Sequence, residues 1–309
     1  MEAPELSDVS PFDADATVLA DTLTRLDRGF EFGSYARSGL LRRLCKHVRE
    51  SGFDDCTTYA AYLSEHEQEY ERLSAAVLVH RTEFFRDAKA WLSLSHEALP
   101  LLLADKPPDE NVRVWCAGCA TGQEAYSLAI TLAEALGIDA YHNRVTVFAT
   151  DVSESVLRFA RAGTYGSYAM QELPLELRDK YFKFSRSRGT WTVSSKLRAK
   201  IVFGRHDLLR DPQLRQMDVI VCRNTLIYFT QSARRRILLR FCVGLRPTGL
   251  LFTGLTEIPQ ASVDMLIRAF AGQPLYRMLS GPDRRALAAL LRALYEWRTS
   301  LRELKAPGP

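Results

Sequence analysis

The chain has 309 residues, 47% of them hydrophobic, and a formal net charge of +4. It is long enough to bury a core across two domains, and its charge is too nearly balanced to argue for nucleic acid as a partner. No apolar run reaches the length of a signal peptide or a membrane span, so a cytoplasmic protein without membrane insertion is expected.

From Asp15 to Ala104 apolar residues recur three and four apart in TVLADTLTRL, RSGLLRRLCKHVRE, TTYAAYLSEH, EQEYERLSAAVLVH and DAKAWLSLSHEALPLLLA. That period predicts an all-helical domain over 15–104. The helix from Arg37 to Glu50 is strongly basic, which fits either a solvated face or a docking surface for an acidic partner. Two prolines among the charges of DKPPDEN predict a linker over 105–111.

Beyond the linker, strand-like and helical patterns alternate through 112–280. VRVWCA, RVTVFAT, MDVIVCR and GLLFTG read as strands, and GQEAYSLAITLAEALG, SESVLRFARAG and QSARRRILLRFCVGL read as helices. Alternation of this kind predicts an α/β domain, a parallel sheet with helices on both faces. Within it, YFKFSRSRGTWTVS suggests two short strands around a turn, a small inserted antiparallel β subdomain at about 178–200. The tail over 281–309 places Leu287, Leu290, Leu291, Leu294, Trp297 and Leu301 on one face of an amphipathic helix, suited to packing on its own domain or to a partner.

The stretch VWCAGCATGQEAYSLAI joins the first strand to the first helix of this domain. Gly118 and Gly122 allow close backbone approach to a ligand, Ala117 and Ala120 keep the wall thin, and Thr121 is placed to start the helix. The loop lacks the glycine spacing of a dinucleotide site. Asp151 closes the second strand, thirty-three positions after Gly118. It is placed either to accept both hydroxyls of a ribose or to cap the next helix, a task Ser153 is also able to perform. A ribose without a pyrophosphate cradle points to an adenosine ligand such as S-adenosylmethionine. DVIVCRNTLIYF then runs a strand into Arg223, Asn224 and Tyr228, polar groups too costly to bury without a purpose. Cys116 and Cys119 have no second ligand pair or histidine cluster beside them, so no metal site is expected.

VRVWCAGCATGQEAYSLAI, FATDVSESVLRFARAGTYG, DVIVCRNTLIYF and LRPTGLLFTGLTE together resemble the CheR-type chemotaxis receptor methyltransferases. FGSYARSGLLRRLCKHVRESGFDDCTTYAAYL and TEFFRD resemble that family's N-terminal domain, and the likeness spans roughly Gly29 to Arg277. The resemblance implies a Rossmann-like S-adenosylmethionine-dependent domain behind an all-α domain. It also implies an activity: glutamate γ-methyl esters formed on the cytoplasmic domain of a methyl-accepting chemoreceptor, with S-adenosylhomocysteine as product. By resemblance Glu124 meets the cofactor's ammonium, Asp151 the ribose, and Asp207 and Leu208 the adenine. Thr82 and Arg86 lie over the cofactor, and Arg223, Asn224 and Tyr228 form the floor near the reactive methyl. Gly118 belongs to the same cofactor loop, and Arg86, Arg223 and Tyr228 are the expected catalytic set. Arg42, Arg43, Lys46 and Arg49 would dock the acidic receptor helix, and the enzyme is expected to act as a monomer.

Two departures stand out. His80 occupies the place where the family usually has asparagine, and the short SRSRG loop argues against a tethering peptide at the β subdomain. The other readings are a methyltransferase acting on another protein or a small acid, and a catalytically silent module that binds the cofactor.

Overall fold

The computed structural model describes residues 17–23, 31–78, 81–104, 106–257, 266–270 and 272–278. His80 and the tail over 281–309 lie outside the described residues.

The N-terminal part is all helical. Residues 17–23 form one helical stretch, followed by α1 (Arg37–Glu50), α2 (Cys56–Glu65) and α3 (Glu67–Val77). Leu40, Leu44 and Val48 form the buried stripe of α1 and pack with Leu19, Tyr59, Leu63 and Leu73. Asp55 starts α2 by accepting the Thr58 N–H at 2.7 Å, as an acidic N-cap should. A longer helix, α4, runs through Ala88–Ser93, widens into a π segment at Leu94–Ala98 and ends at Leu99–Ala104.

The second part is built on β1 (Val112–Ala117), α5 (Gln123–Leu136), α6 (Ile138–Arg144), β2 (Val145–Asp151) and α7 (Glu154–Ala162). There follow β3 (Thr164–Gly166), α8 (Leu175–Tyr181), β4 (Phe182–Ser185), β5 (Thr190–Val193), α9 (Ser195–Arg198) and β6 (Ile201–Arg205). The chain continues through β7 (Met217–Cys222), α10 (Gln231–Gly244), β8 (Leu245–Thr253), β9 (Leu266–Arg268) and β10 (Leu275–Met278). The main sheet has the order β6-β2-β1-β7-β8-β10-β9. Its central strands are apolar on both faces because helices cover both; all six residues of β7 are buried. Strand order reverses at β1, whose neighbours are β2 and β7, and the site lies above that reversal.

The Rossmann-like architecture and the all-α domain agree with expectation, with three differences of detail. The sheet is mixed, because β10 runs antiparallel to both β8 and β9. The small β subdomain has three strands in the order β3-β5-β4, its third supplied by Thr164–Gly166 directly after α7, a strand too short to show alternation. Gly122, with φ +94°, rather than Thr121, is the N-cap of α5. The proline-bearing linker is pinned to the sheet. Lys106 Nζ donates to buried Asp218 at 2.9 Å, and the Arg144 guanidinium donates to the Pro107 and Glu110 carbonyls.

Candidate active site

The turn after β1 is shaped by glycine. Gly118 sits at φ +78°, where a side chain would be strained, and a Cβ there would come within 2.7 Å of Thr225 Oγ1. Its N–H and that of Cys119 both donate to the Thr150 carbonyl at the end of β2, at 2.8 and 2.9 Å. Asp151, the last residue of β2, accepts the Ala120 N–H at 2.9 Å and the Ser153 N–H at 3.0 Å. It therefore ties the β1 and β2 turns together, while Ser153 takes the N-cap of α7 without a side-chain cap bond.

Glu124 projects from the first turn of α5 and is buried. Burial pushes its carboxyl up to about 7, although Arg223 acts in the opposite direction. Arg223, fully buried, follows β7 and donates Nη2 to Asp87 at 2.7 Å and Nε to the Thr253 carbonyl at 3.3 Å. The Phe252 and Trp91 rings lie 4.8 and 5.6 Å from its guanidinium carbon. Nη1 lies 3.5 Å from Glu124 Oε2, yet makes no hydrogen bond among the described residues. Asn224 has φ +53°, and its Oδ1 is likewise buried without a hydrogen-bond partner among the described residues.

Glu257, only 1% exposed, explains how that loop is held. Its carboxylate accepts the N–H groups of Asn224 (2.8 Å), Gly254 (2.7 Å) and Ile227 (3.2 Å). This glutamate closes the stretch LRPTGLLFTGLTE, where no role was expected of it. The one available signal was a carboxylate just past a buried strand, where only dense hydrogen bonding makes burial tolerable.

The all-α side reaches the same place. Thr82 and Arg86 lie on the segment entering α4, which is anchored by Phe84, edge-on to Tyr165 and Phe182, and by the Phe85 N–H on Ser127 Oγ at 3.0 Å. Phe85 and Asp87 on this segment both have positive φ. Asp207 and Leu208 follow β6, and Asp207 folds its own turn by accepting the Leu209 N–H at 2.8 Å. Burial raises the Asp207 carboxyl above its usual range. Tyr228 closes a short 3-10 turn, its carbonyl accepting the Ala36 N–H at 2.8 Å.

One cavity of about 870 Å³, its mouth included, gathers Thr82, Arg86, Gly118, Glu124, Asp151, Asp207, Leu208, Arg223, Asn224 and Tyr228. Tyr35, Arg81 and Phe229 also line it and were not foreseen. Of the four basic residues of α1 expected to dock the receptor helix, Arg42, Lys46 and Arg49 are exposed. Arg43 departs from that picture: half-buried, it lines the cavity with its guanidinium 5.7 Å from the Tyr228 ring centre. It borders the Leu40–Leu44 stripe, so packing of the helix against the second domain turns it inward.

Comparison with known proteins settles the family. Residues 80–269 match the CheR methyltransferase SAM-binding domain, and residues 22–78 match the CheR methyltransferase all-alpha domain. The chain belongs to the CheR methyltransferase family. The chemotaxis protein methyltransferase of Salmonella typhimurium is 32% identical over 259 residues, covering 81% of this chain and 85% of that protein. The protein of the same description from Listeria monocytogenes is 30% identical over 235 residues, covering 76% and 87%. An uncharacterized 104.1 kDa protein of Rhodobacter capsulatus is 34% identical over 226 residues, covering 73% of this chain and 24% of that protein. The cofactor of this CheR domain is S-adenosylmethionine, and the cavity suits it. An Arg223 guanidinium nitrogen without a hydrogen bond among the described residues and a buried acid at Glu124 match a zwitterionic amino-acid group, and the Gly118 backbone leaves room for close approach.

Proposed function

We propose that this chain transfers the methyl group of S-adenosylmethionine to glutamate side chains on the cytoplasmic helices of a methyl-accepting chemoreceptor, forming γ-methyl esters in the cytoplasm. The observation that carries this reading is the shared cavity. Cationic Arg43, Arg81 and Arg86 line the same space as the acidic pair Glu124 and Asp151, so one pocket offers separate places for a cationic ammonium and an anionic acceptor.

Bound there, the cofactor supplies an electrophilic methyl on a sulfonium. Glu124 would pair with the ammonium of its methionine part, and Arg223 Nη1 and Asn224 with the carboxylate. Asp151 would accept the ribose hydroxyls, and Asp207 and Leu208 would meet the adenine. Thr82 and Arg86 would cover the cofactor from the all-α side. A glutamate acceptor is ionised at neutral pH, since its ordinary pKa is about 4.3, so no residue here has to remove a proton. What the protein supplies is alignment of the carboxylate with the methyl, and a dry site. Tyr228 lies on the cavity wall, where its ring can lie against the transferring group, and Arg86 orients the incoming carboxylate. A guanidinium bonded directly to the nucleophile would lower its reactivity, which assigns the arginines to positioning. The exposed row of Arg42, Lys46 and Arg49 would steer an acidic helix to the mouth.

Labelled S-adenosylmethionine incubated with the protein and receptor cytoplasmic fragments should yield protein-bound, base-labile methyl groups. Label appearing only in a small acid or in nucleic acid would reject the receptor reading.

A further inference from the structure

The all-α domain does more than present a basic helix: its segment 31–36 is joined to the loop that forms the cavity wall. The Thr230 N–H donates to the Ser34 carbonyl and the Ala36 N–H to the Tyr228 carbonyl, both at 2.8 Å, and Tyr35 and Phe229 form an antiparallel bridge between them. Arg236 Nη2 adds a 2.8 Å bond to Glu31 Oε1. The Tyr35 ring packs on the Phe229 ring with centroids 4.8 Å apart, tilted by 37°, and both residues line the cavity together with Asp151, Asp207 and Leu208.

We propose that Tyr35 is a cofactor-contacting residue. Its ring, backed by Phe229, forms a wall of the adenosine end of the pocket, so that the cofactor is gripped by both domains at once. The inference rests on the reading of this cavity as the S-adenosylmethionine site. A purine presents a flat π face, and an aromatic ring already fixed by a neighbouring ring and by backbone bonds on either side receives such a face with little ordering cost. The chemistry of the hydroxyl agrees with this place. Burial, with the Asp207 and Asp151 carboxylates nearby, holds the phenol well above its ordinary pKa, so it stays a neutral donor beside acceptor-rich adenosine. Because Ala36 is the N-cap of α1, a ligand touching Tyr35 also steadies the helix that carries Arg42, Lys46 and Arg49.

Calorimetry with S-adenosylhomocysteine on the unaltered chain, Tyr35→Ala and Tyr35→Phe tests this. The expected result is affinity weakened about tenfold in Tyr35→Ala and nearly kept in Tyr35→Phe, from loss of ring stacking and its area. Tyr35→Ala should still unfold cooperatively, at a lower thermal midpoint because the Tyr35 ring packs on Phe229, and Tyr35→Phe should keep the parent's midpoint. Equal affinity in all three overturns the proposal. Absence of binding to the unaltered chain overturns the cofactor reading itself. Amide hydrogen exchange on the unaltered chain gives an answer that needs no variant. Added S-adenosylhomocysteine should protect residues 31–48, and protection confined to the turns after β1, β2, β6 and β7 would contradict a Tyr35 contact.

Discussion

Asp87 and Arg223, 136 residues apart in the chain, are joined by a 2.7 Å ion pair at the cavity wall, the arginine fully buried and the aspartate one-third exposed. The pair fastens the segment that carries Thr82 and Arg86 to the loop that carries Asn224 and Tyr228. It also aims the second guanidinium nitrogen at Glu124. Removing the aspartate leaves a buried cation short of its best partner. Asp87→Ala should lower stability by about 2 kcal/mol in urea unfolding, the worth of one hydrogen bond to a charged group, and should weaken S-adenosylhomocysteine binding. Asp87→Asn, which keeps an acceptor, should lose less of both. Equal losses in the two variants would show that hydrogen bonding to Arg223 is not what matters.

Glu124 sets a pH dependence whose sign differs for stability and for binding. Its carboxyl is raised to about 7 in the folded chain by burial. The folded protein therefore holds a proton that the unfolded chain releases near the ordinary value of about 4.3, and this contribution to stability falls away as pH rises through about 7. Pairing with an ammonium reverses the preference, since only the ionised carboxylate attracts it. S-adenosylhomocysteine affinity should thus increase from pH 6 to pH 8, with release of a proton detectable by calorimetry in buffers of different ionisation enthalpy. Glu124→Gln should bind weakly at every pH and abolish that proton release. A pH-independent affinity in the parent chain would remove Glu124 from the ammonium site.

Glu257 holds the loop from Arg223 to Tyr228 through two backbone N–H groups, those of Asn224 and Ile227, and accepts a third from Gly254 after β8. An amide in its place must turn an N–H toward one of those donors. Glu257→Gln should therefore cost about 1–3 kcal/mol in unfolding free energy and disturb Asn224, with a clear loss of cofactor affinity. Gly254→Ala tests the same contact from the other side, because a Cβ there would lie 2.7 Å from Glu257 Oε2 and 3.0 Å from the Asn224 nitrogen. Wild-type affinity in both variants would show that the loop does not depend on this carboxylate.

The basic helix divides into two kinds of residue. Charge reversal at Arg42, Lys46 and Arg49, all exposed, should lower kcat/KM for a receptor fragment about tenfold at low salt, and less as salt screens the parent's advantage. S-adenosylhomocysteine affinity of these variants should stay unchanged. Arg43→Glu should behave differently, altering cofactor binding as well, because Arg43 lines the cavity. Identical behaviour of all four reversals would contradict the inward orientation of Arg43.

Much of this arrangement was legible in the sequence, and its limits are physical. Strands β1, β2, β7 and β8 are each rich in apolar residues, and the residues that end β1, β2 and β7 fall where an open α/β sheet binds ligands. β6 escaped notice because its five residues carry a glycine and an arginine, and β3 because three residues show no period. The orientation of Arg43 was beyond reach for a different reason. Leu40, Leu44 and Val48 fix the buried stripe of α1, but a residue at the border of that stripe turns inward only because another domain lies against it. Tyr35 and Glu257 were missed on the same ground. Tyr35 is placed by backbone hydrogen bonds around it to a segment more than 190 residues away, and Glu257 by its carboxylate accepting backbone N–H groups about 30 residues away, neither of which a local pattern records.

The central assignment is the cavity beneath α1 as the methyl donor's site, with Glu124 as the counter-ion of its ammonium. Calorimetric titration of S-adenosylhomocysteine into the unaltered chain and into Glu124→Ala tests that directly. Binding should saturate at one site per chain and be lost in a variant that still unfolds cooperatively. No binding to the parent chain, or equal binding to both, would contradict it.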